Sequence, residues 1–226
     1  MKFIIAPVVV CLCYQALAEW HFGEMASCHA TMAKAIGLAK ERDDTHAFAE
    51  ALFFAAILAQ CERNPVEVER LASDLMELSA RHNFAFWLAG GDILRGWARS
   101  ASGDTAQGIS WIERGIRGYR ATGSTLGVPF GLALKAEALH LADRTPEALD
   151  AIREADILVE SFGERSSCAE LYRLRGVFLT KLGVDEAEIK EAFCEAISTA
   201  KQQKSISLAT RAEATYAEYR SNRTVK

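Results

Sequence analysis

Apolar stripes recur along this chain about every forty residues. Cys28, Val68, Ile109, Leu149 and Ile189 stand 40, 41, 40 and 40 residues apart, and each opens such a stripe. From Val68 the stripe continues to Leu71, Leu75 and Leu78, and from Ile109 to Ile112, Ile116 and Tyr119. Steps of three, four and three place those side chains on one face of an α-helix. Leu149, Ile152 and Val159, then Ile189, Phe193 and Ile197, are looser copies. A period of this length is the mark of a repeat architecture, in which each unit buries its apolar face only by stacking on its neighbours.

Helix-start signals keep the same period. Asn64, Thr105, Thr145 and Asp185 lie four residues before the last four anchors, and all are good N-cap types. Pro65 and Pro146 follow two of them, at a position where a missing N–H costs nothing. Glu67 and Glu188, three residues after their caps, complete candidate capping boxes. A second helical face precedes each cap, with Cys13, Phe53, Leu94, Leu134 and Leu174 each followed four residues later by Leu17, Ile57, Ala98, Ala138 and Phe178. The spacing therefore predicts first helices near 8–22, 45–61, 83–101, 126–142 and 167–182. Second helices are expected near 24–41, 65–81, 105–121, 146–161 and 186–203. A last helix near 205–220, with Leu208, Ala212 and Tyr219, would cover the open end of the stack. The Gly90-Gly91 pair inside a first helix points either to close helix approach or to a bend.

Composition agrees with helix. Alanine is the commonest residue and there are only 4 prolines among 226 residues. Half the residues are hydrophobic, which supports a sizeable core. The formal net charge of −4, without a basic block, argues against nucleic acid as a partner. No apolar run reaches the length of a membrane span. The 6 cysteines are irregularly spaced in a chain with an ample core, so buried free thiols are expected rather than a disulfide framework.

The small-residue and turn pattern in Trp97-Ala98 to Gly103-Asp104, and in Ala138-Leu139 to Asp143-Arg144, resembles tetratricopeptide-type repeats. The step is longer than the roughly 34 residues of the common form, and HEAT and armadillo repeats share the longer period as a structural alternative. The stretches from Gly96 to Phe130, Leu132 to Glu160, Leu171 to Leu179 and Ile206 to Arg220 are similar to the C-terminal repeat region of large bacterial regulatory proteins. In those proteins the repeats follow a class III adenylate/guanylate cyclase domain and an ATPase domain. The similarity covers about Val8 to Arg220, leaving 1–7 as an extension and 221–226 as a tail. It implies an all-α fold, a right-handed α-solenoid of about five tetratricopeptide-like helical hairpins plus a C-terminal capping helix. It also implies a protein or peptide partner, a cyclase or ATPase domain among the candidates. Neither the paired metal-binding aspartates of a cyclase nor a GxxxxGK[ST] phosphate loop occurs in the chain, so a non-catalytic module is expected. A sensor that holds a small effector between repeats is the alternative.

Lys2, the apolar run Phe3 to Leu12 and Ala16-Leu17-Ala18 together pass for an export signal cleaved after Ala18. Against this, Pro7 interrupts the run, and Cys13 and Leu17 fall on repeat anchors, so a cytoplasmic chain that keeps this helix is the expectation. No catalytic, cofactor-binding or metal-binding set emerges. His21, Cys28 and His29 flank the first turn but lack a fourth zinc ligand nearby in sequence. His46, His82 and His140 are scattered. The acidic pairs Asp43-Asp44 and Glu186-Glu188 sit where helix starts favour negative charge. Trp20, Trp87, Trp97 and Trp111 read as packing residues. One candidate partner-binding ridge remains: Arg114, Arg117 and Arg120, stepping by three along a second helix away from its isoleucine stripe.

Overall fold

The structure, a computed structural model, describes residues 5–224, and side chains over 7–222. Among the described residues there are eleven α-helices and no strand. They group into two compact units, the first ending at Ser124 and the second beginning at Thr125. The first contains α1 (Ile5–His21), α2 (Met25–Glu41), α3 (Thr45–Cys61), α4 (Pro65–His82), α5 (Ala85–Ala101) and α6 (Thr105–Ala121). The second contains α7 (Val128–Leu141), α8 (Thr145–Phe162), α9 (Cys168–Leu182), α10 (Glu186–Gln202) and α11 (Ile206–Thr224). The fold is an all-α helical repeat of hairpins at the period read from the sequence.

One device terminates nearly every helix. Residues 23, 43, 63, 83, 103, 123, 143, 163, 183 and 204 have positive φ, a left-handed step about every twenty residues. At eight of them the next N–H reaches back to a carbonyl five residues earlier, as from Asp104 to Arg99 (3.0 Å), Arg144 to Leu139 (2.9 Å) and Ser205 to Ala200 (2.9 Å). This six-to-one bond is the Schellman closure, which satisfies a carbonyl left open at the helix end. The forty-residue repeat is thus two helices, each ended by a left-handed residue and most of them by the Schellman closure.

Caps follow the sequence reading in part. Asn64 accepts from the Glu67 N–H (3.1 Å) and Asp185 from Ala187 (3.2 Å). Thr105 and Thr145, expected as caps, are instead the first residues of their helices. Asp104 caps α6, accepting from Gln107 at 3.3 Å, because a carboxylate one residue earlier is the stronger acceptor at the positive end of the helix. The Thr145 hydroxyl is taken up by His140 Nδ1 at 3.1 Å, leaving Arg144 at the cap position without a side-chain cap. The Glu67 carboxylate grips Arg70 at 2.6 and 2.9 Å, so it does not close a capping box. Asp44 caps α3 through Ala47 (3.0 Å), and Glu186 and Glu188 lie in the first turn of α10, so both acidic pairs mark helix starts.

In the first unit, α1, α3 and α5 pack side by side, each also holding its own second helix. The stripes Val68, Leu71, Leu75, Leu78 and Ile109, Ile112, Ile116, Tyr119 are buried as the period requires. The first-helix register is shifted in α3, where Leu52 and Ala56 are buried and Phe53 and Ile57 are half-buried. Trp20, Trp87 and Trp97 are core residues, and the Trp87 indole N–H donates to His46 Nε2 at 3.2 Å. Helix α5 carries the Gly90-Gly91 pair without interruption. A Cβ at Gly90 would lie 2.6 Å from the Phe53 ring, and one at Gly91 would lie 2.6 Å from Met76, so the pair serves close approach. Opposite them, Gly96, Gly108 and Gly115 bring α5 and α6 together: a Cβ on Gly108 would meet the Gly96 carbonyl at 2.4 Å. Of the 1–7 extension, residues 1–4 lie outside the described residues, and Pro7 sits in the first turn of α1, where no helical N–H bond is lost.

In the second unit, α7, α9 and α11 are neighbours in the same way, with α8 and α10 as second helices. Leu132, Leu139, Ile152, Leu171, Phe178 and Phe193 form the core, and Val159 and Ile197 stay half-buried, as the looser stripes imply. Helix α11 packs on both α9 and α10 through Leu208, Ala209 and Ala212. Of the 221–226 tail, the last two residues lie outside the described ones, and α11 runs through Thr224. None of the six cysteines is in a disulfide; Cys13, Cys28 and Cys168 are buried and Cys61 half-buried, whereas Cys11 and Cys194 are exposed because they fall off the apolar stripes. Burial pushes the Cys13 thiol up to about 12, with Glu50 adding negative charge.

Candidate partner-binding face

On the first unit, α4, α5 and α6 present a cluster of charged and aromatic side chains. Asp92, Arg95 and Arg99 follow one face of α5 at steps of three and four. The Arg95 guanidinium lies 4.5 Å from the centre of the Trp111 ring on α6, Arg99 5.5 Å and Arg114 6.0 Å. Three cations therefore surround one indole, an arrangement its negative ring face favours. Arg95 Nε donates to Glu69 Oε1 on α4 at 2.9 Å, and Arg99 Nη2 lies 3.7 Å from the same oxygen. Arg114 makes a forked pair with Asp92, at 2.8 and 2.5 Å. The bond to Asp92 holds the Arg114 guanidinium above its ordinary pKa against the opposing effect of partial burial. Three guanidiniums facing two carboxylates leave the cluster net positive, and Trp111 is the one tryptophan that is only half-buried.

The three arginines singled out by the sequence are all exposed on α6. Arg114 is turned toward α5 and engaged with Asp92, whereas Arg117 and Arg120 lie one and two steps further along the helix. Sequence reasoning did not find Glu69, Asp92, Arg95, Arg99 or the role of Trp111. The α5 spacing was a signal for one charged face, but which side chains meet across three helices depends on the hairpin packing.

On the second unit, charges gather on the first helices. Arg173 of α9 is forked onto Glu170 at 2.7 and 3.0 Å, and Arg211 of α11 lies 3.6 Å from Glu170. Burial opposes the Arg173 charge, but Glu170 and then Glu137 of α7 outweigh it and raise its pKa. This half-buried set links the first helices α7, α9 and α11 through opposite charges.

A third grouping lies in the first unit. Cys28 Sγ and His29 on α2 meet Glu62, the residue closing α3. His29 Nε2 is 2.8 Å from Glu62 Oε1, and the Cys28 thiol donates to the Met25 carbonyl at 3.1 Å. Burial first, and then Glu62 and Glu19, raise the Cys28 pKa. His21, the other ligand candidate from the sequence, instead packs its ring against Trp20.

No family model matches the chain. An uncharacterized protein of Rhizobium meliloti (strain 1021) is 22% identical over 197 residues, covering 87% of this chain but 19% of its own length. The chain thus spans about a fifth of that relative. Among solved structures, RapI in its apo form superposes with a TM-score of 0.63 at 11% identity, over 100% of this chain and 87% of RapI. That likeness is one of fold. It supports the helical-repeat architecture reached from the period and the hairpins.

Proposed function

We propose that this chain is a non-catalytic protein-interaction module whose first unit receives an acidic segment of a partner on the face around Trp111. The observation that carries this reading is the half-exposed indole flanked by Arg95, Arg99 and Arg114. Tryptophan and arginine are among the residue types enriched in binding hot spots, and guanidiniums make strong, charge-assisted bonds to carboxylates. The helical-repeat fold shared with RapI supports an interaction or regulatory role. The similarity of the repeats to the tails of bacterial cyclase–ATPase proteins makes such a domain a candidate partner, and the much greater length of the Rhizobium relative supports a module that works beside other domains. We place its action in the cytoplasm with residues 1–18 retained, a reading supported by burial of Val9, Cys13 and Ala16 within the first unit.

The test is titration of the full chain with a glutamate-rich peptide carrying a fluorescent label. Saturable binding that weakens with added salt and falls at least about tenfold in Trp111→Ala and in Arg95→Glu is the expected result. Lys181→Glu in the second unit should leave it unchanged. Equal affinity in Trp111→Ala and the unaltered chain would remove this face from consideration.

A further inference from the structure

We propose that Cys28, His29 and Glu62 form a binding site for a single divalent transition-metal ion of the zinc class. The thiol sulfur, an imidazole nitrogen and a carboxylate oxygen all lie within 4.8 Å of one another. In a tetrahedral shell with bonds of about 2.0–2.3 Å, ligand atoms stand about 3.5 Å apart, so the three are close to coordinating distance already. The adjustment falls on side chains able to make it: His29 is 58% exposed, and it and Glu62 need only part from their 2.8 Å contact to admit the ion. The anchoring is firmer than the contact. Cys28 is buried in the core of the first unit, and Glu62 is fixed by the turn that closes α3.

Ligand chemistry selects the ion. A sulfur, a nitrogen and one oxygen suit zinc and its neighbours, whereas magnesium and calcium want oxygen throughout. Charge also balances: thiolate and carboxylate together cancel a dication, so the occupied site is neutral where the thiol is buried. Glu19 adds negative charge within electrostatic reach of Cys28. On binding, the Cys28 S–H bond breaks and its proton leaves to solvent as the metal–sulfur bond forms. The Nε2 proton that His29 gives to Glu62 is replaced by one on Nδ1, so that the freed Nε2 lone pair and the released Glu62 oxygen both turn to the metal. The exposed side of His29 leaves the fourth position to water. Three protein ligands and an open position are the arrangement of zinc sites that are not closed structural ones. The sequence hid the site because Glu62 comes from the following hairpin, more than thirty residues away.

The test uses the full chain, stripped of metal, with the exposed thiols removed as Cys11→Ser and Cys194→Ser. Cobalt(II) is the probe, since a cobalt–thiolate bond gives a charge-transfer band and a four-coordinate ion gives intense d–d bands. The expected result is one cobalt per chain with both signals, displaced by zinc, and a zinc-dependent rise in Tm. The charge-transfer band should vanish in Cys28→Ser. His29→Ala, at an exposed position, and Glu62→Gln, which keeps the side chain's size, should keep the helical circular dichroism and weaken binding at least about tenfold. Absence of the charge-transfer band, or cobalt affinity unchanged in His29→Ala and Glu62→Gln, would overturn the site.

Discussion

Lys204 is held at φ 57°, where its Cβ crowds the backbone, because the turn between α10 and α11 needs a left-handed residue. Arg63 shares the burden at φ 62°, whereas Gly183 and Gly103 meet the same demand without a Cβ. Lys204→Gly is therefore expected to raise stability by about 1 kcal/mol, read as a shift in the urea midpoint at constant slope; an unchanged or lower midpoint contradicts the account. A second residue sets a pH dependence. Burial first, and then Asp44, push the Glu50 carboxyl up from 4.5 to about 6. The folded state then holds a proton that the unfolded chain has released, so stability falls as pH rises from about 4.5 through 6. Half-exposure limits the effect to about 1 kcal/mol. His140 acts in the opposite direction below 6.5, since burial and then Lys181 lower its pKa. The informative quantity is therefore the difference between the unaltered chain and Glu50→Gln. Glu50→Gln should lack the loss between pH 4.5 and 6, and parallel profiles for the two proteins would refute the assignment.

At the level of the helix, the two glycine environments make opposite predictions from one substitution. A Cβ on Gly108 would stand 2.1 Å from Ser100 Oγ and 2.4 Å from the Gly96 carbonyl, and one on Gly115 would stand 2.7 Å from the Ala89 carbonyl. Backbone is the obstacle there, so Gly108→Ala must push α5 and α6 apart and should cost about 1–3 kcal/mol. Gly37 lies inside α2 with nothing within 4 Å of a built Cβ, and Gly37→Ala should stabilise by about 1 kcal/mol through helix propensity alone. Thermal melts of the pair decide it, and a shift of the same sign in both would sink the argument. The same contrast explains what was legible in the sequence. Helix positions follow from period, because Val68-Leu71-Leu75-Leu78 or Ile109-Ile112-Ile116-Tyr119 admits only one face inward. The glycines of the α5–α6 hairpin carried no such signal: close approach or a bend stayed open at Gly90-Gly91, and only the paired helix shows that Gly96, Gly108 and Gly115 meet its backbone. Caps were legible to within one residue: whether Asp104 or Thr105 wins is decided by acceptor strength, and Thr145 was lost to a bond with His140. The partner face was less legible still, because Glu69, Asp92, Arg95 and Trp111 are neighbours only after three helices have packed.

Over the whole molecule, the cores are local to each unit. Leu75, Leu94, Trp97 and Ile112 are buried within the first unit, and Leu132, Leu139, Ile152, Leu171, Phe178 and Phe193 within the second. In a repeat protein stability is close to a sum of each hairpin's own stability and the interfaces with its neighbours, so a block that keeps those interfaces keeps its fold. The second unit retains its own: α7 with α8 and α9, α9 with α10, and α11 on both α9 and α10. Its charged set Glu170, Arg173 and Arg211 is also internal, so cutting between residues 124 and 125 strands none of these charges. A fragment of residues 125–226, at roughly 100 residues, is long enough to hold such a core alone. It should show helical circular dichroism and a single cooperative thermal transition, and residues 1–124 should do the same. Within the second fragment, Phe178→Ala removes a fully buried ring and should lower stability by about 3–5 kcal/mol, enough to abolish the transition near room temperature. A fragment of 125–226 that melts without cooperativity, or a cooperative one indifferent to Phe178→Ala, would show that its helices draw their stability from elsewhere.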